Sequence, residues 1–214
     1  VLGHFVPSQN AKERQVMSEA LVFYTNPMSR GRIVRWMLEE IGEPYSTEIV
    51  EYGSTMKAPD YLAINPMGKV PAIGHGDQVI TETPAIVAYL ADTYPGAGLG
   101  PRPEERAAYY RWLFFGASSL EAAMFNKAAG MEPPEDKSRA LGYGSYDLTV
   151  GVLKDVLSGG DFIAGERFTA VDLYLGSQVN FGLRFGLLEK LPEFVAYAER
   201  ATDRDAYSKA TEID

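Results

Sequence analysis

Cysteine is absent from the 214 residues of this chain. That excludes disulfides, thiolate-bound zinc and every mechanism that depends on a protein thiol. Histidine is scarce: His4 and His75 are the only two. A histidine-rich metal site and a Ser-His-Asp triad are therefore not expected. Positive charge is in deficit, with 20 Lys and Arg against 29 Asp and Glu and a net charge of −9. Nucleic-acid binding needs a basic surface, so that class of partner is not expected either. An anionic small molecule is not drawn in by the overall field and must be held by local cations and helix N-termini. No run approaches the roughly 18 uninterrupted apolar residues of a membrane span. The first residues also lack the apolar core of about 7–15 residues found in a secretion signal. The expectation is a cytoplasmic protein with no membrane partner.

What is present is the composition of a globular chain, 46% hydrophobic and 23% charged, long enough for one large domain or two modest ones. Residues 1–19 are polar, without periodicity, and read as an N-terminal extension, with Met17-Ser18-Glu19 resembling a natural start. Residues 20–24 form a buried-strand run, 25–29 a loop, and 30–42 a helix with Ile33, Trp36, Met37 and Ile41 on one face and Gly42 as its stop. Residues 44–50 read as a second strand, which makes a right-handed βαβ unit with parallel strands. A short helix is expected near 60–64. The stretch 95–103 is dense in proline and glycine and reads as a linker. After it the pattern is helical: a long aromatic-rich helix over 104–131, another over 137–157, and a third opened by Thr169 with Asp172 in a capping-box pattern. That third helix is apolar all round and so is expected at the centre of the helical part. The last helices begin at Leu191-Pro192 and end near Lys209.

The run Asn65-Pro66-Met67-Gly68-Lys69-Val70-Pro71-Ala72-Ile73 is a turn leading into a strand. Proline near the start of a strand costs no ladder donor there. Residues 74–77 are a hairpin turn in which His75 reads as solvated, and 78–81 are the returning strand. Glu82-Thr83-Pro84 then opens an amphipathic helix carrying Ile86, Tyr89 and Leu90. A strand pair thus delivers a helix N-terminus beside Val70. A helix N-terminus with a free hydroxyl suits a carboxylate, and an adjacent acid can hold an ammonium. Carboxylate and ammonium together are the head group of an α-amino acid.

NPMGKVPAI, followed after the hairpin by ETPAIVAYL, resembles the glutathione-binding half of the cytosolic glutathione S-transferase family, whose pattern is NPxGKVPxL, a short hairpin, then an acid with Ser or Thr opening a helix of the form xAIxxYL. More weakly, the resemblance covers roughly residues 20–210. In the helical part, the family's GxxFTxADxxL signature is matched with Val171 in place of its alanine; Thr169 and Asp172 are assigned to folding. The resemblance implies an α/β plus all-α architecture: a thioredoxin-like βαβαββα glutathione-binding domain over 20–94, a linker over 95–103 and an all-helical domain over 104–214. It implies a cis bond before Pro71, with the Val70 backbone pairing to the cysteinyl amide of glutathione. Glu82 and Thr83 would hold the γ-glutamyl ammonium and carboxylate, and Lys57 and Lys69 the glycine carboxylate. Glutathione would be the co-substrate, with no other cofactor, and the assembly a homodimer.

With no protein thiol, the sulfur must arrive with the ligand. A free thiol has a pKa of about 8.5, so it needs a hydrogen-bond donor and a positive helix end to ionise at neutral pH. Pro27-x-Ser29 is similar to the Pro-x-Ser of the serine-type, bacterial-type classes, where the serine bonds the sulfur; a plain helix cap is the alternative role for Ser29. Arg30-Gly31-Arg32 instead resembles the RGR that follows a catalytic tyrosine in other classes, which puts Asn26 at that position. The candidate donors are therefore Ser29 first, then Thr25 or Asn26, then Tyr24. For a hydrophobic electrophile, Met28, Tyr109, Trp112 and Phe115, with Tyr110 and Met124, are candidates to line a pocket between the domains. The expected activity is a transferase that joins the glutathione thiolate to electrophilic small molecules, as in detoxification. The competing reading is a non-catalytic glutathione-fold protein-interaction module, which would have no need of an amino-acid head-group site.

Overall fold

The computed structural model describes residues 20–214; the expected extension over 1–19 lies outside the described residues. Strand β1 (Leu21–Thr25) alternates buried and half-buried positions and leads through a tight loop into helix α1 (Gly31–Ile41). Gly42, at φ 71°, closes α1 by returning its N–H to the Leu38 carbonyl. Strand β2 (Tyr45–Ile49) pairs in parallel with β1, completing the βαβ unit. A single 3₁₀ turn and the short helix α2 (Pro59–Ile64) follow. Strands β3 (Ala72–His75) and β4 (Gln78–Thr81) form an antiparallel hairpin, and helix α3 (Thr83–Thr93) starts directly after it. The sheet order is β2-β1-β3-β4, with β3 antiparallel to β1. This is the thioredoxin-like arrangement expected from the sequence, and an all-helical part follows it.

The helical part departs from expectation in two places. The 104–131 helix is helix α4 (Arg106–Phe115), a π-helical segment (Gly116–Leu120) and helix α5 (Glu121–Ala128). Gly116 lies under the helix α7 (Ala170–Arg184), where a Cβ would come 2.8 Å from Leu175. The turn is widened where the two helices touch most closely. The expected 137–157 helix begins only at Tyr146: a 3₁₀ segment (Glu135–Ala140) ends in a glycine-containing turn, and Ser145 then caps helix α6 (Tyr146–Leu157) by accepting from Leu148 N–H at 3.2 Å. Helix α7 is the buried centre, with Val171, Leu173 and Leu175 fully enclosed. Asp172 ties its start together, accepting from the Ile163 and Thr169 N–H groups and from the Thr169 and Tyr197 hydroxyls at 2.8–3.0 Å. Helices α8 (Pro192–Thr202) and α9 (Asp205–Ile213) complete the chain, so the last helix runs past the expected end.

One hydrophobic core runs through both parts, from Phe23, Trp36 and Leu38 to Tyr109, Leu173 and Tyr174. Helix α9 is fastened across it to α1. Arg35 and Asp214 form a buried ion pair at 3.2 Å, Lys209 pairs with Glu39, and Arg204 with Glu40. His75 is not simply solvated: its Nδ1 is 2.8 Å from the Tyr89 hydroxyl and its ring packs against Tyr89 and Tyr94.

Candidate functional site

Strand register assembles the site. Ala72 lies opposite Tyr24 on one side and Thr81 on the other. The next residues, Thr25, Pro71 and Glu82, therefore meet at one end of the sheet, with the β1–α1 loop beside them. The Val70–Pro71 bond is cis, as the resemblance implied. Val70 precedes β3, its backbone N–H and C=O have no backbone partner among the described residues, and it lines a cavity of about 470 Å³. The preceding turn is braced from several sides. The Lys69 carbonyl accepts from the Tyr61 hydroxyl at 2.6 Å and Asn65 Nδ2 at 2.8 Å. Burial pushes the Tyr61 phenol up to about 12, so it stays a neutral donor. Lys57 Nζ donates to the Met67 and Gly68 carbonyls at 3.0 and 2.8 Å. Lys57 thus braces the turn, while Lys69 lines the cavity with an exposed ammonium that has no partner among the described residues.

Glu82 is the one non-glycine residue with positive φ among the described residues, at 68°. Such a conformation costs of order 1–3 kcal/mol and survives where the surroundings enforce it. Its carboxylate and the Thr83 hydroxyl make no hydrogen bond among the described residues. Thr83 is the first residue of α3, so its N–H belongs to the unsatisfied first turn.

The candidate sulfur donors separate clearly. Thr25 is fully buried and its hydroxyl has no partner among the described residues. Gly31 covers it so closely that a Cβ there would lie 1.9 Å from Thr25 Oγ1. Asn26 is occupied: Oδ1 accepts from Met28 N–H at 3.0 Å and Nδ2 donates to the Val50 carbonyl at 3.2 Å. Tyr24 packs on Tyr61 with ring centroids 5.9 Å apart. Ser29 alone of the four lines the cavity. Its hydroxyl donates to the Asn26 carbonyl at 2.6 Å and accepts from the N–H of Gly31, the first residue of α1, at 2.9 Å.

Of the four residues expected to line the electrophile pocket, only Met28 does so; it is 85% exposed. Tyr109 and Trp112 are buried in the core, and Phe115 packs against it. Tyr110 lies outside the lining and Met124 is fully buried. Aromatic content on the long helix did not show which face turns inward. The wall is instead built by Trp36 from α1, Phe125 from α5, Phe181 and Phe185 at the end of α7, and Tyr207 from α9. Periodicity carried no signal for these, because the elements they sit on are far apart in the chain.

A family model described as the glutathione S-transferase N-terminal domain matches residues 28–93. The chain is similar to a glutathione S-transferase from Schizosaccharomyces pombe, 31% identical over 155 residues, which are 67% of each chain. It is likewise similar to one from Xanthomonas campestris, 31% identical over 170 residues, 73% of this chain and 80% of the relative. Among solved structures, a glutathione transferase from Methylococcus capsulatus superposes with a TM-score of 0.74 at 29% identity, covering 91% of this chain and 98% of its own. One from Phanerochaete chrysosporium, in complex with oxidized glutathione, gives a TM-score of 0.75 at 25% identity, covering 91% and 96%.

Proposed function

The chain belongs to the glutathione S-transferase family and is a glutathione transferase, and from that premise we propose how its residues hold glutathione and activate the sulfur. The γ-glutamyl carboxylate sits on the N-terminus of α3 and the Thr83 hydroxyl, with its ammonium against Glu82. The backbone of Val70 pairs with the cysteinyl residue, and Lys69 meets the glycine carboxylate. Lys57 shapes the turn that presents Lys69 and Val70. One observation supports the reading: at one end of the sheet, the Val70 backbone, the Glu82 carboxylate and the Thr83 hydroxyl have no hydrogen-bond partner among the described residues, and an extended peptide with an amino-acid head group could use all three.

The thiolate lies at the Ser29 hydroxyl, at the N-terminal end of α1. Accepting from Gly31 N–H polarises the Ser29 hydroxyl, and the hydroxyl hydrogen turns from the Asn26 carbonyl to the stronger thiolate acceptor. The α1 N-terminus adds positive potential to the same spot. The sulfur then attacks the electrophilic carbon of a substrate held against the aromatic wall, in the manner of cytoplasmic detoxification. No cofactor beyond glutathione is required for this chemistry. The unpaired anchor groups favour the enzyme over a protein-interaction module.

The anchors are tested by titrating glutathione into Glu82→Ala and Thr83→Ala. Each is expected to lose about 1–3 kcal/mol of binding, the usual cost of removing a partner from a charged hydrogen bond. Unchanged affinity in both would remove the head-group assignment.

A further inference from the structure

Resting on the transferase reading, the cavity also carries information about the second substrate. Three phenylalanines stand together on its wall. Phe125 stacks on Phe181 with centroids 6.1 Å apart and an interplanar angle of 29°, and Phe181 meets Phe185 at 4.5 Å. All three are exposed, Phe185 at 64%. Flat apolar faces left open to a cavity are suited to a flat aromatic ligand.

The charge of the cavity is opposite to that of the protein. The chain carries a net −9, yet the cavity is lined by Arg30, Arg32, Lys69 and Arg184 and by no Asp or Glu. Arg30 is neutralised by Glu121 at 3.0 Å and lies over the Phe125 ring at 5.1 Å. Arg32, Lys69 and Arg184 have no acidic partner among the described residues. Lys69 stands at the turn beside Val70, where the glycine carboxylate of glutathione is placed. Arg184 also lines the cavity, as the last residue of α7, between Phe181 and Phe185 in sequence. A guanidinium there has five donors for a carboxylate or sulfonate.

We propose that the preferred electrophile is an aromatic molecule bearing an anionic group, its ring against Phe125, Phe181 and Phe185 and its anion on Arg184. For a chlorinated nitroarene the step balances without any further reactant. The thiolate lone pair forms a C–S bond at the ring carbon that bears chlorine, the nitro groups hold the added negative charge, and the C–Cl bond breaks with chloride taking its electron pair. The products are the aryl thioether of glutathione and chloride.

The experiment compares 4-chloro-3,5-dinitrobenzoate with the neutral 1-chloro-2,4-dinitrobenzene at saturating glutathione, each rate corrected for the uncatalysed reaction. The kcat/KM ratio, anionic over neutral, is measured for the parent, Arg184→Ala and Arg184→Lys. The parent is expected to favour the anion, Arg184→Ala to lower the ratio by roughly tenfold, and Arg184→Lys to recover part of it. A role for Arg184 only in stabilising the end of α7 would leave the ratio where it is in the parent, because both electrophiles would suffer alike. An unmoved ratio, or a parent with no preference, overturns the proposal. Failure of the parent to turn over either electrophile overturns the transferase reading beneath it, and glutathione titration in the absence of electrophile tells the two failures apart.

Discussion

Ser29 accepts one hydrogen bond of the kind a helix cap accepts, from Gly31 N–H, donates another to the Asn26 carbonyl, and lines the cavity where the thiolate is proposed to lie. Substitution separates these roles. A hydrogen bond to a charged group is worth about 1.5–3 kcal/mol, and one pKa unit is about 1.36 kcal/mol. Ser29→Ala is therefore expected to raise the apparent pKa of bound glutathione thiol by about one to two units, read as thiolate absorbance against pH. A capping role alone would cost about 1 kcal/mol of stability and leave that pKa in place. Thr25→Val serves as the contrast. Its hydroxyl is buried without a partner among the described residues, so a methyl in its place should change stability by less than about 1 kcal/mol and leave the thiol pKa unmoved. A shift with Thr25→Val and none with Ser29→Ala would reverse the assignment.

At the scale of elements, the loop before α7 is stapled to the start of α4 and to the glycine-rich stretch between the two parts. Arg167 donates to both carboxylate oxygens of Glu105, at 3.0 and 2.6 Å, and to the Gly98 and Gly100 carbonyls. Burial by itself would raise the Glu105 carboxyl, but Arg167 and the Arg102 N–H outweigh it and hold it below its ordinary range. The folded state thus binds fewer protons here than the unfolded chain. The staple's contribution is complete above the ordinary glutamate range near 4.3 and is lost as pH falls through the lower folded-state value. Glu105→Gln is expected to lower stability at neutral pH by about 1–2 kcal/mol, less than for a fully buried pair because Arg167 is partly exposed and keeps its carbonyl partners. Urea midpoints for parent and variant should then converge as the pH is lowered below about 4. Parallel curves would show that Glu105 is not held as described.

For the whole molecule, the cavity exists because α9 is fastened to α1. The pairs Arg35–Asp214, Glu39–Lys209 and Glu40–Arg204 bring Tyr207 against Trp36 with centroids 4.9 Å apart. Both rings line the cavity. The division into residues 20–94, 95–103 and 104–214 remains a proposal, and one core crosses it. We further propose a two-fold homodimer in which α3 of one subunit faces α4 of the other. Phe114 is 66% exposed and Tyr110 40% exposed on α4, and an isologous contact would cover both. Phe114→Arg is expected to shift the sedimentation profile at micromolar concentration toward monomer while leaving the far-UV circular dichroism in place. A monomeric parent would remove the dimer.

Local pattern determined a good deal. The βαβ unit, the hairpin, the buried α7 and the Asp172 cap follow from periodicity and capping residues that act within a few turns of chain. The NPMGKVPAI and ETPAIVAYL stretches are likewise local, so the cis bond before Pro71 and the proposal of Val70, Glu82 and Thr83 as glutathione anchors could both be read from them. Tertiary structure decided what local pattern could not reach. Whether Lys57 or Lys69 points at the cavity depends on which carbonyls lie within reach of each ammonium. Which hydroxyl is open depends on Gly31 closing over Thr25. The aromatic wall was misplaced for the same reason: Tyr109 and Trp112 read like pocket residues, but burial is set by what packs opposite them. The wall that formed comes from α1, α5, α7 and α9, whose meeting is fixed by long-range ion pairs and core packing rather than by any one segment.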